Sequence, residues 1–278
     1  MVGEKVKSTN IWNKVAHDFS KGGPDFWNEF GKRLVELSSI KEGAKILDVA
    51  MGRGASLFPA IKKIGKNGYA IGIDISENMV NETYNDIVKQ SINNAEVRKM
   101  NALNLRFNDN FFDNVICGFG IGYILPSDIK LTEIIRVLKK NGQVGFSIWG
   151  VQEQKKWLVD ITNKYINIKS PNKKSAEKSN ITEFNTINDV KRILENSGLK
   201  NVKVYQEESD IIYKSKEEWW KEMNSNEVRM AFDEIEKLGS DKFKEYKKEI
   251  FNILERYKKE DGFHLNMPVI YAFGEKFF

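Results

Sequence analysis

The stretch of sequence that decides the fold is Lys45-Ile46-Leu47-Asp48-Val49-Ala50-Met51-Gly52-Arg53-Gly54. Its first half reads as a short apolar β-strand and its second half as a turn of small residues, after which a helix is expected. Small residues let the backbone approach a ligand closely. The start of the helix adds free N–H groups and the positive end of a dipole, which suit a carboxylate, while Asp48 suits an ammonium group. A ligand that bears both groups is an amino acid.

A second acidic residue follows the next predicted strand. Tyr69 to Ile73 form this strand, and Asp74 closes it. An acid in this position can accept two hydrogen bonds from the hydroxyls of a ribose. Recognition of an amino acid together with a ribose indicates S-adenosylmethionine as the ligand. The alternatives are a glycine turn with a purely structural role and NAD, but Leu57 breaks the G-x-G-x-x-G fingerprint of NAD, and Asp48 would lie near a pyrophosphate.

Strands and helices alternate from residue 44 to residue 150, which predicts a parallel sheet with right-handed crossovers. Ser76 is expected to cap a helix whose inner face carries Met79, Thr83 and Ile87. Further strands are predicted at residues 96–100, 114–119 and 143–149, and a helix at about 128–139.

We expect three parts in the chain. Residues 1–43 are an N-terminal helical segment, in which Phe26, Phe30, Leu34 and Leu37 recur at helical spacing. Residues 44–150 are the cofactor-binding core. Residues 151–278 complete the sheet with strands at 202–213 and 269–273, and a helical cap at about 215–262 lies between these strands. A lysine-rich stretch, residues 169–178, reads as a solvated loop, with contact to phosphates as the alternative.

Five motifs in order resemble those of the class I S-adenosylmethionine-dependent methyltransferases, in the branch of ubiquinone- and menaquinone-type and other small-molecule enzymes. The family's D-x-G-x-G-x-G motif is matched at residues 48–54, with Ala50 in place of the first glycine. Asp74 matches the family's acidic ribose residue. The D-A-x-x-L-P-F, F-D-x-V and R-V-L-K-P-G-G patterns correspond to residues 101–107, 112–115 and 136–142, the last without its proline. Asn101 replaces an aspartate, and its side-chain oxygen can still accept from an adenine amino group.

The resemblance implies a Rossmann-like α/β fold: a mostly parallel seven-stranded sheet with helices on both faces, joined by N-terminal helices and a helical cap. It implies S-adenosylmethionine as the methyl donor and S-adenosylhomocysteine as the product. The expected cofactor-binding residues are Asp48, Ala50, Met51, Gly52, Asp74, Ile75, Met79, Asn101, Ala102, Leu103, Gly118 and Phe119. No metal is required for transfer of a methyl group.

The acceptor is expected to be a small organic molecule. Nucleic-acid methylation is the first alternative, but residues 117–120 read Cys-Gly-Phe-Gly where base-methylating relatives carry Asn/Asp-Pro-Pro-aromatic, and the net charge of +5 is mild. A protein that binds the cofactor without catalysis is the second alternative.

Aromatic residues are candidates for the wall of an acceptor pocket. The predicted pocket residues are Phe19, Phe26, Trp149, Trp219 and Trp220, with Trp12, Trp27 and Tyr123 as further candidates. For the last two tryptophans of the first group, an equal alternative is that they only pin the cap helices together. His17 is the first candidate for a catalytic base and Tyr123 the second, because histidine exchanges its proton near neutral pH. A solvated or capping role is the alternative for His17.

The composition is typical of a globular protein. The chain has 278 residues, of which 41% are apolar. It has no run of about 18 apolar residues, and its first ten residues lack an apolar signal-peptide core. Its single cysteine, Cys117, excludes an intrachain disulfide. Together these features favour the cytoplasm and predict no membrane span.

Overall fold

A seven-stranded sheet forms the centre of the computed structural model, which describes residues 10–126, 128–166 and 184–277. Its strands are β1 (Lys45–Val49), β2 (Tyr69–Asp74), β3 (Ala95–Lys99), β4 (Phe112–Gly118), β5 (Leu138–Trp149), β6 (Lys200–Glu207) and β10 (Val269–Glu275). They lie in the order β3-β2-β1-β4-β5-β10-β6. β10 runs antiparallel to both of its neighbours, and the pairs from β3 to β5 are parallel. The predicted Rossmann-like sheet is confirmed. The lysine-rich stretch at residues 169–178 lies outside the described residues.

Helices cover both faces of this sheet. They are α1 (residues 10–15), α2 (Phe26–Leu37), α3 (Leu57–Ile64), α4 (Glu77–Lys89), α5 (Thr132–Val137), α6 (Glu153–Tyr165) and α7 (Ile187–Asn196). Successive strand residues point to opposite faces. Ile46 accordingly joins a core with α2, α3 and α4, whereas its neighbour Leu47 joins a core with α5 and α7. No described helix has the length and apolarity needed to cross a membrane.

Capping residues set several helix boundaries. The Ser76 side chain accepts a hydrogen bond from Met79 N–H, and the buried face of α4 carries the three residues predicted for it. α5 is shorter than the helix expected at residues 128–139. It starts at Thr132 because Leu131 has a left-handed backbone with φ +53° and the Asp128 carboxylate accepts from Thr132 N–H at 2.6 Å. It ends at Val137 because β5 begins at the next residue.

The strand predicted at residues 202–213 is two strands in the structure. β6 ends at Glu207, and β7 (Asp210–Tyr213) belongs to a separate three-stranded sheet with β8 (Lys258–Lys259) and β9 (Gly262–Asn266). Three helices lie between β7 and β8: α8 (Lys216–Asn224), α9 (Arg229–Glu236) and α10 (Ser240–Leu254). We call residues 216–254 the cap helices. In the chain, the cap helices connect β7 and β8 of the three-stranded sheet and not two strands of the seven-stranded sheet.

Helix α2 packs unusually close to the turn after β1. A Cβ added to Gly31 would lie 2.3 Å from the carbonyl oxygen of Ala55, which is backbone and cannot rotate away. The absence of a side chain at Gly31 therefore sets how near the N-terminal helix comes to the turn.

We expect Gly31→Ala to lower the free energy of unfolding by about 1–2 kcal/mol, because overpacking outweighs the helix propensity of alanine. Urea unfolding measures this change. The control is Gly122→Ala, whose Cβ would have no atom within 4 Å, and its stability should stay within about 0.5 kcal/mol of wild type. A Gly31→Ala protein as stable as wild type would contradict the tight packing.

Candidate cofactor and acceptor site

The residues predicted from the motifs gather at the carboxyl ends of the parallel strands. Asp48 on β1 pairs in register with Gly72 on β2 and Ile116 on β4. Asp74 is the last residue of β2. The segments that leave β1, β2 and β4 therefore meet at one edge of the sheet, where open α/β sheets bind their ligands.

The turn after β1 presents backbone rather than side chains to this edge. Ala50, Gly52 and Gly54 all have left-handed backbone, with φ of +54°, +52° and +80°. Such a conformation costs a residue with a Cβ roughly 1–2 kcal/mol, which explains why the related motif prefers glycine where this chain has Ala50. The space beside Gly52 is open: a Cβ there would meet only the Phe19 ring, at 4.0 Å.

Asp74 joins the two loops that face this edge. One of its carboxylate oxygens accepts from Gly52 N–H at 3.0 Å, and the other accepts from Ser76 N–H at 2.8 Å. Burial raises the pKa of Asp74, and these backbone hydrogen bonds oppose the rise. Each oxygen keeps a further lone pair, so the carboxylate can also accept from the hydroxyls of a ligand.

Asp48 is fully buried and only half satisfied. Its Oδ2 accepts from Ser56 Oγ at 2.7 Å, whereas its Oδ1 has no partner among the described protein atoms. Burial raises the pKa of Asp48 to about 7, and the charge of Asp74 adds to the rise. An unpartnered buried carboxylate is costly unless a cation or a donor compensates it. This arrangement fits the ammonium group of an amino-acid ligand.

Two of the predicted cofactor residues turn their side chains into the protein. A Cβ on Gly72 would lie 2.2 Å from Met51 Sδ, so the Met51 side chain packs against β2. Met79 is 2% exposed and packs against α1. Ile75, between these positions in the chain, is 38% exposed. The structure thus gives Met51 and Met79 packing roles.

The loops after β3 and β4 carry the remaining predicted residues. Asn101 is exposed, and its Oδ1 accepts from Leu103 N–H at 3.0 Å, with half-buried Ala102 between them. This local turn uses one lone pair of the oxygen expected to bind adenine. Phe119, directly after Gly118, has left-handed backbone with φ +59°, and its N–H donates to the backbone of β5.

Six rings form an aromatic cluster beside the same edge. Its members are Phe19, Phe26, Trp27, Phe30, Phe119 and Trp149. The Phe119 and Trp149 rings are 4.1 Å apart, and those of Phe26 and Trp149 are 6.4 Å apart. Phe19 connects the cluster to the turn at Gly52. Three of the five predicted pocket residues are thus brought together.

The structure places the rings of Trp219 and Trp220 apart from these three, and their role in the pocket stays a prediction. Trp219 is 1% exposed and packs on Trp157, with ring centroids 5.8 Å apart. Trp220 stacks on Phe232 of α9 at 4.2 Å. Among the described ring contacts, neither tryptophan touches the aromatic cluster. Trp220 thus packs between cap helices, as in the alternative that the tryptophans pin these helices together, whereas Trp219 packs on α6.

The two candidate bases occupy different surroundings. The His17 side chain is 74% exposed, and its Nδ1 lies 3.4 Å from a carboxylate oxygen of Glu82. Tyr123 lies nearer the aromatic cluster, because its ring packs edge-on against Trp12 at 5.9 Å, which in turn packs on Phe19. The Tyr123 hydroxyl donates to the Glu227 carboxylate, beside the cap helices. The geometry therefore favours Tyr123 over His17 as a group near an acceptor, and both roles stay predictions.

Side chains that the motifs did not single out hold the N-terminal segment over the edge. Arg53 donates to the Ala16 carbonyl at 3.0 Å. Asn13 Oδ1 accepts from Ser76 Oγ at 2.8 Å, and Lys14 pairs with Asp233 of α9. Arg53 is part of the first motif, but the motif does not predict its contact with Ala16. Nothing in the sequence indicates a role for Asn13, because its contact residues lie more than sixty residues away in the chain.

A buried acid of the cap helices was also missed. Glu222 is 0% exposed and accepts from Trp27 Nε1 at 2.8 Å. It follows Trp219 by three residues and so shares the inward face of α8. A charged residue at the spacing of a buried tryptophan is the signal that could have found it.

The sheet order and the edge site define the Rossmann-like fold of class I methyltransferases. Within that class, the chain belongs to the ubiE/COQ5 methyltransferase family, whose model matches residues 9–215. The resemblance seen in the motifs is confirmed. The cap helices lie beyond the matched residues.

Two curated relatives match about half of this chain or less. Aklanonic acid methyltransferase DauC from Streptomyces sp. (strain C5) is 28% identical over 143 residues, 51% of this chain and 65% of that protein. Demethylmenaquinone methyltransferase from Listeria monocytogenes serotype 4a (strain HCC23) is 34% identical over 113 residues, 41% and 48% of the two chains. The chain thus spans about half to two thirds of these relatives. The crystal structure of YcgJ from Bacillus subtilis superposes with a TM-score of 0.58 at 14% identity, covering 89% of this chain and 98% of YcgJ, which shows a shared fold.

The buried state of Asp48 predicts a pH-dependent stability. Because its folded pKa of about 7 lies above the ordinary 3.8, its stabilising contribution is complete below about pH 4 and is lost as the pH rises through about 7. Asparagine stays neutral throughout. Relative to wild type, Asp48→Asn should therefore gain up to about 4 kcal/mol of unfolding free energy between pH 4 and pH 8.

Urea unfolding at a series of pH values measures this difference. Asp160→Asn, at an exposed position of α6, is the matched control and should differ from wild type by the same amount at every pH. A pH-independent difference for Asp48→Asn would show that folding does not raise the pKa of Asp48.

Proposed function

We propose that the protein is an S-adenosylmethionine-dependent methyltransferase that acts on a small organic acceptor. The observation that carries this proposal is the pair of buried acids on neighbouring strands, Asp48 and Asp74, with the left-handed turn between them. Asp48 offers an unpartnered oxygen to an ammonium group, and Asp74 offers lone pairs to ribose hydroxyls. Membership of the ubiE/COQ5 methyltransferase family supports the same conclusion.

The cofactor, when bound, supplies a methyl group on a sulfonium that a nucleophile displaces in line. The residues assigned to hold it are Asp48, the backbone of residues 50–52, Asp74, Ile75, residues 101–103 and Gly118 with Phe119. This chain's own contribution is to position the acceptor and to exclude water. Positioning alone can supply roughly 7–11 kcal/mol of the barrier. A base is needed only if the acceptor must lose a proton.

The aromatic cluster supports a small apolar acceptor. One of its six rings, Phe19, lies beside Gly52, where the cofactor is assigned, and aromatic rings commonly wall ligand pockets. The two relatives described above are named for aklanonic acid and demethylmenaquinone. On these grounds we propose that this protein also methylates a small molecule. The alternatives are methylation of RNA and binding of the cofactor without catalysis.

The division of labour along the chain belongs to the same proposal. We assign the described part of residues 1–43 to closure over the edge, residues 44–150 to cofactor binding, and the described part of residues 151–278 to completion of the sheet and to the cap at about 215–262. Contacts support closure from two sides: Lys14 pairs with Asp233, and Tyr123 donates to Glu227. Cytoplasmic localisation is proposed from the composition alone.

Replacement of Asp74 tests the cofactor assignment. In Asp74→Asn the amide group cannot accept from both backbone N–H groups and a ribose, so the affinity for S-adenosylhomocysteine should fall by about 2 kcal/mol, roughly 30-fold. Isothermal titration calorimetry measures it. Glu77→Gln, three residues later and exposed, is the matched control and should keep wild-type affinity. Unchanged affinity in Asp74→Asn, or tighter binding of NAD than of S-adenosylhomocysteine, would refute the assignment.

The acceptor class has a separate test. With S-adenosylmethionine labelled in the methyl group, we expect label to enter the small-molecule fraction of a cell extract and not total RNA. Asp48→Asn should lower the incorporation. Label that enters RNA while the small-molecule fraction stays at background would move the protein to the nucleic-acid alternative.

A further inference from the structure

Glu222 on α8 is a buried acid that the cofactor assignment leaves unused. Its carboxylate is 0% exposed, and Oε1 accepts from Trp27 Nε1 at 2.8 Å. Oε2 has no hydrogen-bond partner among the described protein atoms, and a Cβ added to Gly22 would lie 3.0 Å from it. Burial raises the pKa of Glu222, and the polar groups of Trp27, Asn226 and the Gly23 backbone around it oppose the rise.

A second unpartnered polar atom lies close to it. The Tyr213 side chain is fully buried, and its hydroxyl also lacks a partner among the described protein atoms. Gly23 connects the two, since a Cβ there would lie 3.1 Å from Tyr213 Cε1 and 3.2 Å from Glu222 Cβ. The pKa of Tyr213 is raised well above its usual value by burial and then by the charge of Glu222.

Glu222 borders the aromatic cluster through Trp27. The Trp27 ring that donates to Glu222 lies 5.0 Å from Phe19 and 5.5 Å from both Phe119 and Trp149. A buried polar atom without a partner costs about 1–3 kcal/mol, and a buried charge costs more. An apolar pocket with a few convergent polar groups is the usual form of a small-molecule site.

We propose that Glu222, oriented by Trp27, recognises the acceptor by accepting a hydrogen bond from a donor group, a hydroxyl or an amine, on an otherwise apolar ring-bearing molecule. This inference rests on the proposed function and adds to it a specificity-determining residue. Glu222 lies outside the residues 9–215 that match the family. The recognition element therefore comes from the cap helices and not from the shared core.

The expected discrimination between ligands with and without a donor group depends on the cost of leaving Glu222 unpaired. A site built to hydrogen-bond a ligand rejects an analogue that lacks the donor, because the buried acceptor then stays unpaired. Discrimination by such sites reaches about 10⁴-fold, and at least about 10-fold is expected for a minimal probe that contacts Glu222 alone.

The test compares three probes on the protein saturated with S-adenosylhomocysteine: 2-naphthol, 2-naphthylmethylamine and 2-methoxynaphthalene, which has the same ring without a donor. Dissociation constants come from calorimetry. Wild type should bind 2-naphthol or the amine at least about 10-fold more tightly than the methyl ether. Whichever of the two binds more tightly identifies the donor group as a hydroxyl or an amine.

Glu222→Gln then tests the residue. Glutamine has the same shape and keeps an oxygen for Trp27, so the preference for the donor probe should fall to about threefold or less while binding of S-adenosylhomocysteine is unchanged. Glu217→Gln, on the exposed face of the same helix, should keep the wild-type preference. Equal binding of the methyl ether and the donor probes to wild type, including no binding of either, would overturn the inference, as would a preference that survives in Glu222→Gln. If the wild-type protein does not bind S-adenosylhomocysteine, the proposed function itself is wrong.

Discussion

The structure depends on how closely backbone approaches the turn after β1. Three elements come to this turn at a glycine. α2 meets the Ala55 carbonyl at Gly31, the segment after β4 meets Ala50 at Gly120, and β2 meets the Met51 side chain at Gly72. A Cβ at any of these glycines would lie within 2.2–2.3 Å of the atom it faces. The turn after β1 is thus enclosed by α2, β2 and the segment after β4.

Two buried acids at this edge are satisfied to different degrees. Asp74 receives two backbone N–H groups, which makes it part of the scaffold as well as a ribose acceptor. Asp48 receives one hydroxyl and keeps an oxygen without a partner. An unpaired buried charge is destabilising. A cationic ligand should therefore change the protonation of Asp48 more than that of Asp74. Glu222 repeats this pattern on the side of the cap helices.

The sequence predicted the core well because its signals are local. The motif at residues 45–54, the acid at Asp74 and the cap at Ser76 each depend on neighbours in the chain, and the structure has the corresponding strand, turn and helix where they were expected. The alternation of strands and helices predicted a parallel sheet, and the resemblance to the methyltransferase family implied that it has seven strands.

The errors arose where tertiary contacts decide. The strand expected at 202–213 divides because β7 finds its partner in β9, about fifty residues later. Trp219 and Trp220 were predicted in the pocket because of their residue type. In the structure the Trp219 ring packs on Trp157 and the Trp220 ring on α9. Glu222 was missed because its partner, Trp27, lies at the other end of the chain.

A crystal structure of the protein with S-adenosylhomocysteine would locate the cofactor. We expect the ribose hydroxyls within hydrogen-bond distance of the Asp74 carboxylate, and the amino-acid end of the ligand against Asp48 and the backbone of residues 50–52. A ligand whose ribose contacts another residue, or that lies away from the carboxyl ends of β1 and β2, would contradict this assignment.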